Sequence, residues 1–311
     1  MTAFHNAHWP DARPALSVLI PFLSDDPTPL LQALAKEATG LGSEVEVILL
    51  DDGTGDPALT GRITALVARA AMPICLITAA SNNGRAAGRN ILLNRARGEY
   101  VLFIDADMLP DNRDFLSQWL YFAREERPAA AFGGFSVSQA PTDPRFAVHR
   151  AMALRTDCLD AKTRARDPLK NVFTSNLLIR REHLATCPFD GRFSGWGWED
   201  VEWAIRFGKA HTIRHVDIPA THMGLDDVPT LMRKYDQSAR NFEQIRAAHP
   251  EVVEEFPSFK VAKLINCMKI APLVIRLSQR MAMWDSVPVF FRGLSLRFYR
   301  AARYAEAMQG S

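Results

Sequence analysis

The chain has 311 residues and a mass of 34.8 kDa, enough for one large α/β domain or two smaller units. Apolar residues make up 48% and charged residues 23%, which excludes a disordered chain and a collagen-like repeat. A formal charge of +2 gives no reason to expect a nucleic-acid partner. That charge is unevenly spread: from Ser258 onward there are nine Lys and Arg against Asp285 and Glu306, so this stretch carries +7 and the remainder −5.

Four cysteines, Cys75, Cys158, Cys187 and Cys267, stand far apart with no CxxC pair, and read as reduced thiols. The first residues carry His5, His8, Asp11 and Arg13 without an apolar h-region, so no secretory leader is expected. No apolar run approaches the ~20 residues of a membrane span, and the expected compartment is the cytoplasm.

Residues 1–14 are polar and read as a loose lead-in. Leu16–Phe22 (LSVLIPF) predicts a buried strand closed by Pro21. Pro29–Thr39 has helical spacing, Glu44–Leu50 predicts a second strand ending in Asp51-Asp52-Gly53, and Leu59–Arg69 predicts a helix. Pro73–Thr78 predicts a third strand, and Gly84–Arg97 a helix beside Ser81-Asn82-Asn83. Tyr100–Ile104 predicts a fourth strand, ending in Asp105-Ala106-Asp107, followed by a helix over Phe115–Arg124. Such alternation means a mostly parallel sheet flanked by helices, with ligands at the carboxyl ends of the strands.

The second half is less regular. Strands are expected at Ala131–Ser138, Val172–Ile179 and Thr212–Asp217, a helix at Glu199–Lys209, and a long polar helix at Thr230–Ala248. From about Ser258 the pattern is helical, apolar and basic, broken by Pro272 and Pro288. There, Phe291, Leu294 and Phe298 fall at i, i+3 and i+7, a stripe that suits an anionic membrane surface, a packing face or a second subunit.

Several motifs could carry chemistry. In Asp105-Ala106-Asp107 the alternation puts both carboxylates on one side of an extended strand end, where a divalent cation would relieve their repulsion. Asp51-Asp52-Gly53 is either a turn or a source of carboxylate acceptors for a base or ribose. Gly53–Ala58 formally fits GxGxxA, but no acidic residue stands between Asp56 and Glu99, so a dinucleotide site is not expected. In Gly195-Trp196-Gly197-Trp198-Glu199-Asp200 the glycines let backbone approach a ligand, and Trp196 and Trp198 offer flat faces for an acceptor sugar. Glu199 and Asp200 there could supply a general base or simply suit a helix N-terminus. On spacing alone, His222 reads as a structural histidine.

Taken in order over roughly residues 15–245, LSVLIPF, VILLDDG, NNGRAAGRN, YVLFIDADM and GWGWED resemble the inverting GT-A glycosyltransferases of family 2. The last motif is similar to the G-W-G-x-E-D of chondroitin-polymerase-type and polypeptide N-acetylgalactosaminyl transferases. The resemblance implies a GT-A fold with a helical C-terminal extension, and transfer of a sugar from a nucleotide-sugar donor, UDP-linked, to a glycan or glycolipid hydroxyl. It assigns Pro21, Asp52 and Arg85 to the nucleotide, Asp105 to ribose or metal, and Asp107 and His222 to Mn²⁺ or Mg²⁺. Asp200 becomes the catalytic base and Glu199 an acid that orients the acceptor. Trp198 stands where relatives vary, which leaves the acceptor open, and nothing resembles the transmembrane pairs of processive synthases. The expected organisation is a lead-in over 1–14, a nucleotide-sugar half over 15–130, an acceptor and catalytic half over 131–257, and a basic helical extension over 258–311. Two rivals stay open: a non-catalytic glycan- or nucleotide-binding module on the same fold, and a nucleotidyltransferase.

Overall fold

The computed structural model describes residues 1–9 and 12–309; Pro10, Asp11, Gly310 and Ser311, at the ends of the expected lead-in and extension, lie outside the described residues. The first stretch runs β1 (Thr2–His5), β2 (Leu16–Phe22), α1 (Thr28–Ala38), β3 (Val45–Asp51), α2 (Pro57–Arg69), β4 (Ile74–Thr78), α3 (Arg85–Arg95) and β5 (Tyr100–Ile104). It continues with β6 (Met108–Pro110), α4 (Phe115–Glu126), β7 (Ala130–Phe132), β8 (Phe135–Ser136), α5 (Ala147–Thr156), α6 (Ala161–Arg164), β9 (Asn176–Arg180), α7 (Arg181–Thr186) and α8 (Glu199–Gly208). The remainder is β10 (Ile213–His215), β11 (Ala220–His222), α9 (Val228–Ala248), α10 (Pro250–Val253), α11 (Pro257–Cys267), α12 (Ala271–Met283) and α13 (Val289–Ala307).

The chain forms two compact units whose segments interleave. The first comprises Met1–Ala140, Asp157–Gly191 and Trp203–Gly224, the second Pro141–Thr156, Arg192–Glu202 and Leu225–Ser311. The first unit holds an eight-stranded sheet in the order β1-β4-β3-β2-β5-β9-β7-β10 and a small sheet β6-β11-β8. The block β4-β3-β2-β5 is parallel, while β1, β9 and the β7–β9 pair add antiparallel neighbours. Its central strands are continuous apolar runs because helices cover both faces. The buried Glu46 on β3 is an exception with a full set of partners: it accepts from Ser17 Oγ at 2.6 Å and from Arg97 Nη2 at 2.7 Å.

Residues 2–5, read from sequence as part of a loose lead-in, instead form β1, antiparallel to β4. The single strand expected at Ala131–Ser138 is two, and they belong to different sheets. Gly133 and Gly134 make the corner. A Cβ on Gly133 would sit 2.5 Å from Asn176 Nδ2, and Gly134 has φ +95° against the Arg164 guanidinium. The strand expected from Val172 begins only at Asn176.

The second unit is helical. Its core gathers Val148 of α5, Val228, Leu231, Met232 and Tyr235 of α9, Ala282 of α12, and Leu296 and Tyr299 of α13. α9, read as a polar helix, buries a long stripe from Val228 to Ile245, and Asp227 caps it by accepting from Thr230 N at 2.9 Å. The basic C-terminal helices are thus partly core: α13 buries Leu296, Tyr299, Ala302 and Tyr304. Among the described residues no helix is long and apolar enough to cross a membrane.

Candidate active site

At the carboxyl end of β3, Asp51 is consumed by its own turn. It accepts from Thr54 N at 2.9 Å and Thr60 Oγ1 at 2.6 Å. Asp52 is buried and holds the 81–84 turn: it accepts from Asn83 Nδ2 at 2.6 Å and from Asn83 N and Gly84 N, each at 3.1 Å. A carboxylate has about four acceptor sites, so this turn takes up most of the capacity that a base would use. Gly53 permits the approach, since with φ +79° a Cβ there would fall 2.5 Å from the Ser81 carbonyl carbon. Pro21 lies half-buried in β2, paired in register with Leu50 of β3.

Arg85 opens α3 and is exposed. Arg89, one turn later, is buried, and its Nη2 lies 3.4 Å from Asp105 Oδ1. Sequence reasoning missed this residue. The signal was present: NNGRAAGRN sets Arg89 four residues after Arg85, on the helix face that also buries Ala86, Leu92 and Leu93. A buried guanidinium needs an anion, and Asp105 supplies one.

Asp107 and His222, 115 residues apart, meet: Asp107 Oδ2 lies 3.1 Å from His222 Nε2. The small sheet causes this. β11 pairs antiparallel with β6 so that His222 stands opposite Met108, and Met223 N donates to Asp107 O at 2.8 Å. Buried Thr221 fixes the ribbon through Asp111 Oδ1 at 2.6 Å and Ser136 Oγ at 2.7 Å. Gly224 was also missed. A Cβ there would lie 2.1 Å from Asp107 Oδ2, so only glycine admits the observed carboxylate position. Among the described residues no three His, Cys, Asp or Glu side chains gather as a complete metal cage.

In the second unit, Gly195 (φ +74°), Gly197 (φ +92°) and Trp198 (φ +77°) twist the loop ahead of α8. A left-handed backbone costs a non-glycine residue about 1–2 kcal/mol, so Trp198 needs external support. Asn241 Nδ2 donates to Ser194 O at 2.9 Å and Gly197 O at 2.8 Å. Trp198 Nε1 donates to Tyr304 OH at 3.2 Å, and its ring stacks on Phe256 at 6.0 Å between centroids. Trp196 packs against Tyr235 and the helical core. Both tryptophans, expected to face an acceptor, are half-buried with packing partners of their own. Glu199 is buried and Asp200 half-buried in the first turn of α8.

The sequence profile described as glycosyl transferase family 2 matches residues 17–187, more than half of the chain. An uncharacterized glycosyltransferase of Haemophilus influenzae is 32% identical over 92 residues, covering 30% of this chain and 36% of that one, so the match spans about a third of the curated relative. A Pyrobaculum calidifontis mannosyltransferase, solved in complex with GDP-Man and Mn²⁺, superposes over 94% of this chain and 87% of its own with a TM-score of 0.56 at 16% identity. S. aureus TarS covers 93% of this chain and 54% of its own at a TM-score of 0.50 and 17% identity. At such identities these structures speak for the fold, a GT-A-type α/β architecture. With its profile match running from β2 to the end of α7, the chain belongs to glycosyl transferase family 2.

Proposed function

We propose that the protein is a metal-dependent inverting glycosyltransferase. It would move a hexosyl or N-acetylhexosaminyl group from a nucleoside-diphosphate donor, UDP-linked, to a hydroxyl of a glycan or glycolipid. The observation that carries this reading is the approach of Asp107 to His222 beside the Arg89–Asp105 pair, at the carboxyl end of β5. One carboxylate and one imidazole suit Mn²⁺ better than Mg²⁺, which prefers oxygen alone. With no complete protein cage among the described residues, the ion would depend on the donor's diphosphate for its remaining ligands. When bound, it would supply positive charge to the departing diphosphate.

The chain's own groups account for the rest. Asp105, held by Arg89, would accept from the ribose or support the metal. Asp52 would fix the turn against which the base lies, and Arg85 would stand near that base. Asp200 would take the acceptor hydroxyl proton, and Glu199 would orient the acceptor. The likeness of GWGWED to the G-W-G-x-E-D motif supports those last two roles. A single displacement at the anomeric carbon then inverts its configuration.

The test is nucleoside diphosphate release from UDP-, GDP- and TDP-linked sugars, with melting temperatures measured in parallel. UDP with Mn²⁺ should raise the melting temperature more than the sum of either alone. If no nucleoside diphosphate shifts it, with or without Mn²⁺, the donor assignment fails.

A further inference from the structure

The C-terminal helices carry an outer apolar face as well as an inner one. α12 buries Ala271, Ser278 and Ala282. Leu273, Leu277, Met281 and Trp284 recur at i, i+4, i+8 and i+11, and are 57%, 53%, 43% and 60% exposed. That spacing makes one stripe, turned away from the buried residues and bordered by the exposed Arg276 and Arg280. The first half of α13 repeats the design. Gly293, Ser295 and Leu296 face inward, while Phe291, Leu294 and Phe298 are exposed beside Arg297. α11 and the residue that follows it add exposed Leu264 and Met268 beside exposed Lys260 and Lys263.

Of the sixteen large apolar side chains exposed among the described residues, eleven lie between Leu264 and Phe298. Isolated exposed apolar residues are normal, but a concentration of this kind marks a contact surface. Glu255, just before α11, pairs with Lys260 at 2.9 Å, and beyond that pair the charge along Lys263, Lys269, Arg276 and Arg280 has one sign. No Asp or Glu stands between Glu255 and Asp285, and Asp285 is neutralised by Arg292 at 2.9 Å.

We propose that the outer face of α11, α12 and α13 lies in the interfacial plane of an anionic lipid bilayer. Trp, Phe, Leu and Met would enter the headgroup–acyl boundary, while the bordering Lys and Arg meet acidic headgroups. None of these helices is long and apolar enough to cross the membrane, so the contact is peripheral. A second copy of the chain is a poorer occupant. A two-fold interface sets the same patch against itself, so the positive border of Lys269, Arg276 and Arg280 would face an equally positive border with no Asp or Glu between residues 256 and 284 to offset it. The proposal concerns a surface and does not rest on the donor or metal assignment.

The test uses the full chain, because α13 contributes Leu296, Tyr299 and Tyr304 to the helical core and cannot be removed cleanly. Co-sedimentation is measured with phosphatidylcholine vesicles, with and without phosphatidylglycerol, at low and high salt. The Leu277→Glu/Trp284→Glu double variant alters only exposed side chains, and an unchanged melting temperature verifies its fold. The full chain should pellet with phosphatidylglycerol vesicles at low salt and be released by high salt; the double variant should partition about tenfold less or weaker still. The proposal is overturned if the full chain stays in the supernatant, if pure phosphatidylcholine binds it equally, or if the double variant pellets as well as the parent. It is equally overturned if light scattering shows a vesicle-free dimer that the double variant dissociates, because the face would then belong to a second copy.

Discussion

The two units handle polar chemistry in opposite ways. In the sheet unit, Asp105, Asp107 and His222 sit where strands end, and the apolar strands that present them are complete without them. In the helical unit, the glycine–tryptophan loop is itself part of the packing: Trp198 is tied to Tyr304 and Phe256, and Asn241 closes the loop from α9. Substitution of Asp107 or His222 should therefore change binding and leave stability nearly alone, whereas loss of Asp105 should also cost stability because it leaves the buried Arg89 guanidinium without that anion. Substitution in the loop should change stability as well, and only the carboxylates that follow it, at the start of α8, should escape that rule.

The largest effect is expected at one of those carboxylates. Asp200→Asn should keep donor affinity and lower turnover by ~10²–10⁴-fold, the mark of a group acting in the transition state. Steady-state rates with a saturating acceptor measure it, and near-normal turnover would transfer the role of base to Glu199. In the sheet unit, Asp107→Ala should abolish the part of nucleoside diphosphate binding that depends on Mn²⁺, read by calorimetric titration, with the melting temperature of the unliganded protein nearly unchanged. Gly224→Ala should act in the same direction without touching a charged group, because its Cβ would fall 2.1 Å from Asp107 Oδ2. If Gly224→Ala binds like the parent protein, the backbone just after β11 does not control the position of Asp107.

Trp198→Ala sharpens the contrast from the other side. Truncating a packed tryptophan commonly costs about 3–5 kcal/mol, and the partial exposure of this one points to the lower end. Denaturant titration should show that loss, with Trp198→Phe recovering part of it. An acceptor KM that rises while stability stays constant would instead make the ring a sugar platform.

The difference between the units also decides what could be read in the sequence. β2, β3, β4 and β5 were legible because buried parallel strands leave unbroken apolar runs, and Asp105-Ala106-Asp107 was legible because it closes one of them. His222 entered only through family resemblance. Its meeting with Asp107 depends on the three-residue strands β6 and β11, too short for periodicity to register. Arg89 and Gly224 act through partners distant in sequence, and the corner at Gly133 and Gly134 depends on Asn176 and Arg164. The stripe of Phe291, Leu294 and Phe298 was visible, but whether it faced core or solvent depended on which side of α13 carried Leu296 and Tyr299.

The smallest effect tests how firmly α13 belongs to the helical unit. Tyr299 is buried, and its hydroxyl donates to Asp236 Oδ1 at 2.8 Å, an oxygen that also accepts from Arg303 Nε at 2.7 Å. Burial first, then the hydrogen bond to Asp236 and that carboxylate's charge, push the phenol up to about 12 from its ordinary value near 10. A raised acid binds its proton more tightly in the folded chain. The resulting stability is therefore complete below pH 10 and is lost as pH rises through 12. Asp236 and Arg303 are each about a third exposed, so solvent screening reduces the contribution to about 1–2 kcal/mol. The stability of the parent protein minus that of Tyr299→Phe should shrink by this amount between pH 9 and pH 12, and titration of all other groups cancels in the difference. A difference that stays constant with pH would mean that the phenol titrates alike in the folded and unfolded chains, and that the contact between α9 and α13 is looser than the Tyr299–Asp236–Arg303 geometry implies.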